Sequence, residues 1–401
     1  MKKNVIFIIA DGMGHAAVTA TRIWAKGSKG SLNLEKMPYS GYVKTYSSSS
    51  FVTDSAASGT ALATGVKTYN SAVGMTDPKV DPTHSSRNLE FITDVMKKAG
   101  KSVGVVTTTR VTHATPACFY AHVKDRGMEN EIASFLKGSS LDLLMGGGRK
   151  YFQREINKIN LISDLEESGW VYMKNKQDMD SVKSQSLSSK VLGLFNTSHI
   201  TYENKRKVMT KDTEPSLSEM VSFATDFLSD NKNGFFLMVE AGRIDHASHD
   251  NLIEEMLHET KELDDCLGNL LTSDLAKDTL IVITADHETA GLAISGYGHV
   301  DTVKGDKLLS TKKSASGKVS SYISWASGPN GAENLTGSQP HPAAQYAAEA
   351  KHTAIDVMVL ASGPGAEVFS GFMQNTQIPR KILAKVGLSF ESPVNLENPQ
   401  S

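Results

Sequence analysis

Six runs of apolar residues, each followed by a polar or glycine-rich cluster, place the strongest limit on how this chain can fold. They read NVIFIIADG, SVGVVTTTR, LDLLMGGG, GFFLMVEAG, TLIVITADHE and AIDVMVLASGPG. A strand that is apolar at nearly every position offers no face to water, so it belongs in a sheet that is covered on both sides. The six runs therefore predict the buried strands of one central sheet.

Helical patterns lie between these runs. Two of them repeat apolar residues at helical spacing, at Leu217, Met220, Val221, Ala224, Phe227 and Leu228, and at Leu252, Ile253, Met256, Leu257, Leu263 and Leu267. The first begins with a capping box formed by Ser216 and Glu219. Strands that alternate with helices indicate an α/β fold with a doubly wound, mainly parallel central sheet flanked by helices. Ligands of such folds bind beyond the carboxyl ends of the strands.

Two polar stretches interrupt this alternation. Residues 175–211 are polar and weakly periodic, and residues 296–345 are rich in Ser, Gly, Lys and Asn with few apolar positions. Both stretches are predicted to be surface insertions. The sequence shows no repeat at a fixed period, and we expect residues 1–401 to form a single α/β domain.

Charge and cysteine content limit the partners of the chain. Lys and Arg number 42 against 44 Asp and Glu, so no charge excess favours nucleic acid or an anionic membrane surface, and we expect neither as a partner. No segment reaches the ~18 consecutive apolar residues of a membrane span. The two cysteines, Cys118 and Cys266, exclude a disulfide framework and a cysteine zinc cluster, and they leave either one bridge or two free thiols.

The first residues, MKKNVIFIIADGMG, resemble an export signal because two lysines precede an apolar run. The run is too short for such a signal and Asp11 ends it, so it predicts the first strand of the sheet. If the protein is exported, we expect its leader to be absent from this sequence.

The segment VTDSAASGTALATG, residues 52–65, has two interpretations. Asp54 or Ser55 can cap a helix that the alanines favour and that Gly65 ends. The N-terminus of a helix also attracts anions, so Ser55 could attack a phosphate there. An unassisted hydroxyl is a poor nucleophile at neutral pH, and the second interpretation therefore needs a base or a metal ion from elsewhere in the chain.

Acidic and histidine side chains follow several of the predicted strands. The residues are Asp11, Glu240, Asp245, His249, Asp286, His287 and His352. Asp245 and His249 are four positions apart, which places them on one face if a helical turn begins there. Each residue alone is a weak signal. Oxygen and nitrogen ligands gathered at the ends of buried strands are, however, typical of a hydrolytic zinc site.

Taken in order, six segments of the chain resemble the alkaline phosphatase family. They are DGMG at Asp11, TDSAASGTALATG around Ser55, THATPACFYAHVKDR over residues 112–126, VEAGRIDHASH, TADHE and KHTAIDV, and they span residues 11–355. The resemblance implies a metal-dependent enzyme that hydrolyses phosphate monoesters to an alcohol and inorganic phosphate through a phosphoserine intermediate. It also implies the α/β fold expected above.

The resemblance assigns the chemical roles. Ser55 matches the nucleophile that becomes phosphorylated, and Arg126 matches the guanidinium that clamps the phosphate. An arginine offers two parallel hydrogen bonds to phosphate oxygens, where a lysine offers a point charge. Two zinc ions ~4 Å apart stabilise the attacking and the leaving oxygen of an in-line displacement and help to deprotonate the serine. This would supply the activation that Ser55 lacks on its own.

The implied cofactors are two Zn²⁺ ions and one Mg²⁺ ion per subunit. The matching ligands are Asp245, His249 and His352 for the first zinc ion, Asp11, Asp286 and His287 for the second, and Asp11, Glu240 and Thr115 for the magnesium ion. Asp11 would therefore bridge two of the metal sites, and the second zinc ion would also bind the oxygen of Ser55.

Two positions that vary within the family are histidines here, His113 and His246. Some bacterial members carry aspartate and lysine there. We expect the two imidazoles to adjust the third metal site and the affinity for phosphate, because imidazole shifts the metal preference from magnesium towards zinc and lacks the permanent charge of lysine. The remaining histidines singled out are expected to be surface or packing residues, namely His15, His84, His122, His199, His258 and His299.

Two other functions stay open. A sister enzyme of the same superfamily, such as a sulfatase, phosphodiesterase or phosphomutase, would use a similar sheet. Residues 55–59, SAASG, lack the proline and arginine of the sulfatase motif Cys/Ser-x-Pro-x-Arg. A non-catalytic metal- or phosphate-binding protein would be expected to have lost Ser55 or a zinc ligand, whereas every matched position is filled.

The resemblance also implies partners and a location. The substrates are expected to be small phosphate monoesters, and the protein is expected to be periplasmic or secreted. Residues 296–345 fall where family members carry a crown at the dimer interface, so they are predicted to be a crown-like insertion. The insertion is short, which leaves a homodimer open.

Overall fold

The computed structural model describes residues 4–81, 83–153, 155–156, 159–183, 189–313, 319–329, 331 and 341–391. The strands are Asn4–Ile9 (β1), Tyr39–Lys44 (β2), Ser102–Arg110 (β3), Leu143–Gly147 (β4), Glu155–Ile156 (β5), Ile159–Asn160 (β6), Trp170–Met173 (β7), Lys190–Leu194 (β8), Phe235–Glu240 (β9), Thr279–Thr284 (β10), Glu288–Thr289 (β11), Ala293–Ile294 (β12), Thr311–Lys313 (β13), Val319–Ser321 (β14), Ile323–Gly328 (β15), Ala343–Tyr346 (β16), His352–Thr353 (β17), Val357–Ser362 (β18) and Gly371–Gln374 (β19).

Helices connect most of these strands. They are His15–Lys26 (α1), Ser55–Thr64 (α2), Ile92–Lys98 (α3), Ala114–Ala117 (α4), Glu129–Phe135 (α5), Arg149–Phe152 (α6), Leu161–Glu167 (α7), Lys176–Lys183 (α8), Glu203–Met209 (α9), Leu217–Ser229 (α10), Arg243–His249 (α11), Ile253–Thr272 (α12), Asp306–Leu309 (α13) and Gln377–Lys385 (α14). None of the helices in the described ranges is both long and apolar enough to cross a lipid bilayer.

Ten of the described strands form one sheet in the order β19-β2-β18-β10-β1-β9-β3-β4-β8-β7. β18 runs antiparallel to its neighbours β10 and β2, and the other neighbouring pairs in this sheet are parallel. Helices flank the sheet, and its central strands β1, β9 and β10 are buried at every position. The predicted doubly wound, mainly parallel α/β fold is therefore confirmed.

All six predicted strands are present, as β1, β3, β4, β9, β10 and β18. The two predicted helices are α10 and α12, and α10 begins with the expected capping box: Ser216 Oγ accepts the Glu219 N–H, and the Glu219 carboxylate accepts the Ser216 N–H. Cys118 and Cys266 are buried and are not bonded to each other, so the free-thiol alternative holds.

The prediction that residues 175–211 form a surface insertion is wrong for the strand within it. β8 lies inside the large sheet, where it pairs in parallel with β4 on one side and β7 on the other. Val191, Leu192 and Leu194 are fully buried there. The apolar run VLGLF is only five residues long, and the polar residues that precede it hid its strand character.

Residues 296–345 lie partly outside the described residues, at 314–318, 330 and 332–340. Their described parts contribute to small sheets, β13 with β14 and β12 with β15 and β16, which are separate from the large sheet. β15 is tied to the loop that follows β11, because the Ala326 N–H donates to the Ala290 carbonyl at 2.8 Å. The surface insertion and its crown-like character stay predictions.

Candidate metal centre and active site

Three neighbouring parallel strands bring acidic residues to one edge of the sheet. β1 lies between β9 and β10, and its last residue, Ile9, is in register with Glu240 and Thr284, the last residues of those strands. Asp11 and Asp286 each come two positions after a strand end, so both meet Glu240 at the carboxyl edge. The side chains of Asp11, Glu240 and Asp286 are fully buried.

Further side chains reach this edge from α11 and β17. The chain passes directly from β9 into α11, which sets Asp245 Oδ1 3.3 Å from His249 Nε2 on one helix face. β17 pairs antiparallel with β11, and this pairing places His352 opposite Thr289. The rings of His352 and His287 stack with their centroids 3.5 Å apart. The predicted ligands of the two zinc ions therefore lie together.

Main-chain carbonyls orient the rings of His249 and His352 in the same way. His249 Nδ1 lies 2.6 Å from the Ala350 carbonyl oxygen, and His352 Nδ1 lies 3.0 Å from that of Thr53. A carbonyl only accepts, so each Nδ1 carries a hydrogen and each Nε2 is directed to the site. The two Nε2 atoms are 3.0 Å apart. Two lone pairs at this distance repel each other unless a proton or a metal ion lies between them.

The carboxylates around Asp11 are buried without neutralising partners. Both oxygens of Asp11, Asp286 Oδ2 and Glu240 Oε1 have no hydrogen-bond partner within the part of the chain that the structure describes. Burial, followed by repulsion from neighbouring carboxylates, raises the pKa of Asp11 well above its ordinary value and that of Asp286 to about 7. Burial also raises the pKa of Glu240 to about 7. Bound cations would remove this repulsion.

The environment of Asp245 favours the ionised form of its carboxylate, in contrast to those of Asp11, Asp286 and Glu240. Burial opposes its ionisation, but the charge and hydrogen bond of His249, together with the charges of His352 and His287, hold the pKa of Asp245 well below its ordinary value. Asp245 in turn raises the pKa of His249 to about 9, against the effect of burial. A shared positive charge is thus favoured among these side chains.

Three sets of side chains could each hold a metal ion, because within each set the potential ligand atoms lie within 4.8 Å of one another. The sets are Asp245, His287 and His352; Asp11, Asp286 and His287; and Asp11, His113 and Glu240. The second set equals the ligands predicted for the second zinc ion. The first set contains two of the three predicted for the first zinc ion, and His249 contacts both of them. In the third set His113 joins Asp11 and Glu240. The hydroxyl of Thr115 is buried and lowers the pKa of Glu240.

Ser55 begins α2 beside these ligands. Asp54 caps the helix by accepting the Ala57 N–H at 2.9 Å, and Gly65 ends it with a φ of 72°. Both features of the capping interpretation are therefore confirmed. Ser55 is also buried with its Oγ 3.2 Å from His287 Nε2, at the helix end where free N–H groups attract anions. The helix cap and the anion site are compatible here.

Arg126 is tied to the same helix start. One guanidinium nitrogen donates to Asp54 Oδ2 at 3.3 Å, and another lies 3.1 Å from His113 Nε2. The main-chain N–H of Arg126 donates to the Ser71 carbonyl at 2.8 Å. Asp54 therefore links the cap of α2 to the guanidinium.

Threonines that the sequence analysis did not single out hold the carboxylates in place. Thr107 and Thr109 both donate to Glu240 Oε2, and Thr289 donates to Asp245 Oδ1. The run TTT at the end of SVGVVTTTR was an available signal for the first two, because polar residues that end a buried strand need partners. Nothing in the sequence marks Thr289 in this way.

His199 is a packing residue, as expected, and the rings it packs against belong to the site. Its ring packs against two imidazoles of the site, with centroid distances of 4.4 Å to His246 and 5.5 Å to His113. His199 follows β8, the strand that the sequence analysis placed in a surface insertion.

A large surface cavity does not coincide with this site. It has a volume of about 640 Å³ and is lined by residues such as Arg87, Lys97, Lys98 and Arg380. Each of these cations is already bound to a carboxylate or a carbonyl group of the chain. The buried carboxylates and imidazoles therefore lie apart from this cavity.

The fold and the site define a metal-binding α/β protein with a buried serine at a helix start beside its ligands. A family model described as Alkaline phosphatase matches residues 2–388. The alkaline phosphatase of Gadus morhua is 33% identical over 440 residues, which cover 94% of this chain and 90% of that protein. Alkaline phosphatase 4 of Bacillus subtilis is 32% identical over 416 residues, with 93% of this chain and 86% of that protein covered.

A solved structure of TAB5 alkaline phosphatase, a histidine-to-aspartate mutant with Mg bound in the M3 site, has a TM-score of 0.77 and 29% identity and covers 97% of this chain and 99% of that chain. This chain belongs to the alkaline phosphatase family. It is accordingly a phosphatase that hydrolyses phosphate monoesters, and it binds metal ions.

The buried carboxylates predict a pH effect on the metal-free protein. The pKa of Asp286 is about 7 in the folded chain and about 3.9 when unfolded, so its ionisation destabilises the fold as the pH rises through this interval. The substitution Asp286→Asn removes the ionisable group, and the amide oxygen it introduces can still accept the Gly12 and His287 N–H groups. We therefore expect the Tm of Asp286→Asn, minus that of the parent, to become more positive between about pH 5 and pH 8.

Calorimetry in the presence of a chelator measures this difference. Asp274→Asn, which removes a fully exposed carboxylate, is the matched control and should give a difference that varies less with pH. A difference for Asp286→Asn that stays constant or falls with rising pH would show that the carboxylates do not repel one another.

Proposed function

We propose that this phosphatase forms a phosphorylated Ser55 at a centre of two zinc ions and one magnesium ion. The observation that carries the proposal is the facing pair of Nε2 atoms on His249 and His352, 3.0 Å apart. The unneutralised carboxylates around Asp11 add a second requirement for positive charge. Mixed nitrogen and oxygen donors suit zinc, and oxygen donors suit magnesium.

The ligand sets are those that the family pattern implies. They are Asp245, His249 and His352 for one zinc ion, Asp11, Asp286 and His287 for the other, and Asp11, Glu240 and Thr115 for magnesium. His287 belongs to the second set and also lies close to Asp245 and His352 of the first, which supports two neighbouring zinc sites. Magnesium at the third site follows the family pattern. When bound, such cations stabilise charge on the attacking and leaving oxygens and lower the pKa of the serine hydroxyl.

The chain's own residues then perform two displacements at phosphorus. Ser55 Oγ loses its proton and forms a bond to phosphorus, while the bond from phosphorus to the ester oxygen breaks and the alcohol leaves with a proton. Water then attacks the same phosphorus, the bond to Ser55 Oγ breaks, and inorganic phosphate and the free serine are restored. The N–H groups at the start of α2 face the phosphoryl oxygens during both steps.

Arg126 orients the phosphoryl group. Its guanidinium is held by Asp54 and His113, so little side-chain freedom is lost when it binds two phosphate oxygens. His246 lies beside Asp245 with its Nδ1 2.8 Å from a guanidinium nitrogen of Arg243. Burial, followed by the charge of Arg243, lowers the pKa of His246 to about 3, so this side chain is neutral when phosphate binds.

We also propose the surroundings in which the enzyme works. Its substrates are small phosphate monoesters, its location is periplasmic or secreted, and it assembles as a homodimer, with nucleic acid playing no dedicated role. Family membership supports the phosphate monoester substrates. The near balance of 42 basic and 44 acidic residues favours no nucleic-acid partner, and the location and the homodimer are what the family resemblance implies.

Replacement of Ser55 tests the proposed intermediate. Ser55→Ala should form no phosphoryl-enzyme when the reaction with radiolabelled nitrophenyl phosphate is quenched in acid, and it should keep its metal ions. Hydrolysis should fall by roughly a thousandfold and still exceed the background rate, because the cations and Arg126 remain.

Ser58→Ala is the matched control for this experiment. Ser58 lies one turn further along α2, and its Oγ donates to the Asp286 carbonyl at 2.7 Å, so this variant should still become labelled. Turnover of Ser55→Ala near that of the parent, or faster hydrolysis of nitrophenyl sulfate or a phosphodiester by the parent, would reject the proposal.

Replacement of His246 tests the control of product release. Lysine at this position adds a permanent charge near the phosphate, and a charged hydrogen-bond partner contributes about 1.5 kcal/mol or more. His246→Lys should therefore tighten inhibition by inorganic phosphate roughly tenfold and lower kcat where product release limits turnover. His246→Gln is the neutral control, and steady-state kinetics give both constants. An unchanged inhibition constant and kcat in His246→Lys would contradict the charge argument.

A further inference from the structure

His199 lies in a loop that is fixed against the ends of two central strands. The Gly148 N–H, just after β4, donates to the Ser198 carbonyl at 2.7 Å, and the Ile200 N–H donates to the Thr108 carbonyl of β3 at 3.0 Å. These bonds hold the main chain on both sides of His199. The loop that carries the His199 ring is therefore anchored to the sheet.

The ring of His199 completes a cluster of imidazoles, which we call the histidine cluster (His113, His199 and His246). The centroids of its three pairs lie 4.4, 5.1 and 5.5 Å apart, and every pair meets edge to face, with interplanar angles of 72°, 84° and 79°. Each ring of the cluster therefore limits the rotation of the other two.

Arg110 and Glu129 anchor the cluster from outside. The main-chain N–H of Arg110 donates to His199 Nδ1 at 3.1 Å, and its guanidinium also contacts the ring. The guanidinium donates twice to the Glu129 carboxylate, at 2.8 Å each, and this carboxylate further accepts the hydroxyls of Thr112 and Tyr151. The His199 ring is thus held by a main-chain hydrogen bond, and the guanidinium that contacts it is fixed by a bidentate ion pair with Glu129.

On its inner side the cluster meets the proposed catalytic groups. His113 Nε2 lies 3.1 Å from a guanidinium nitrogen of Arg126. His113 Nδ1 is buried without a hydrogen-bond partner among the described residues, and His113 forms one group with Asp11 and Glu240. A change in the tilt of this ring would move both the third metal site and the phosphate clamp.

We propose that His199 is a positioning residue, which fixes the rings of His113 and His246 and thereby sets the affinity of the third metal site for magnesium and of Arg126 for phosphate. The inference rests on the proposed function. It concerns a side chain that touches neither the substrate nor a metal ion.

Three variants separate the contributions of His199. His199→Leu removes the aromatic ring and the acceptor for the Arg110 N–H, His199→Phe keeps a ring, and His199→Asn keeps an acceptor near Nδ1. His258→Leu is the matched control, because His258 is also a partly buried histidine that meets an aromatic ring edge to face, that of Trp24, with centroids 4.8 Å apart. His258 lies on α12 and Trp24 on α1, and neither is among the site residues.

Two binding constants of the holoenzyme are measured for each variant. Each variant is dialysed against buffered Mg²⁺, and its magnesium content, measured by mass spectrometry, gives the affinity of the third site. Steady-state kinetics give the inhibition constant for inorganic phosphate. His199→Leu should weaken magnesium binding about tenfold or more. It should raise KM and the phosphate inhibition constant together, with a smaller change in kcat, because the clamp on the bound phosphate is lost in both complexes.

His199→Phe and His199→Asn should each restore part of both affinities, and they carry the test if His199→Leu does not fold. Parent-like magnesium and phosphate affinities in all three variants would overturn the proposal and leave His199 a packing residue. Equal losses in His258→Leu would overturn it as well, because the effect would then be global. A parent enzyme without metal ions or phosphatase activity would instead reject the proposed function.

Discussion

Repulsion among buried carboxylates at one edge of the central sheet is the constraint on which this structure depends. The order β10-β1-β9 puts the ends of three parallel strands side by side, and Asp286, Asp11 and Glu240 leave those ends into the buried interior of the protein. Burying several ionised carboxylates together is very unfavourable unless cations or protons neutralise them. The folded chain therefore requires protons or cations at this edge even before a substrate binds.

Neighbouring groups fix the orientation of the charged and imidazole side chains. Main-chain carbonyls fix the tautomers of His249 and His352, and threonines bind one oxygen of Glu240 and one of Asp245. These partners fix the orientation of the side chains, as partners of metal ligands do in metal sites. The helix start that carries Ser55 then adds N–H groups, and Asp54 joins that helix to the guanidinium of Arg126.

Much of this arrangement could be predicted from sequence, because the buried strands are continuous apolar runs and their ends carry the acids. The prediction failed at β8, since VLGLF is short and follows a polar stretch. The proposed positioning role of His199 was not foreseen for the same reason: it depends on β8 lying beside β4, a contact between distant parts of the chain. Thr289 is set by the pairing of β11 with β17, which two-residue strands do not reveal in a sequence.

The central claim is that the carboxylates and imidazoles at the sheet edge exist to hold metal ions. Anomalous diffraction from crystals of the zinc-loaded protein, recorded on both sides of the zinc absorption edge, tests it most directly. Two zinc peaks are expected, one bounded by Asp245, His249 and His352 and the other by Asp11, Asp286 and His287. An absence of peaks at these side chains, with the protein folded and active, would contradict the claim.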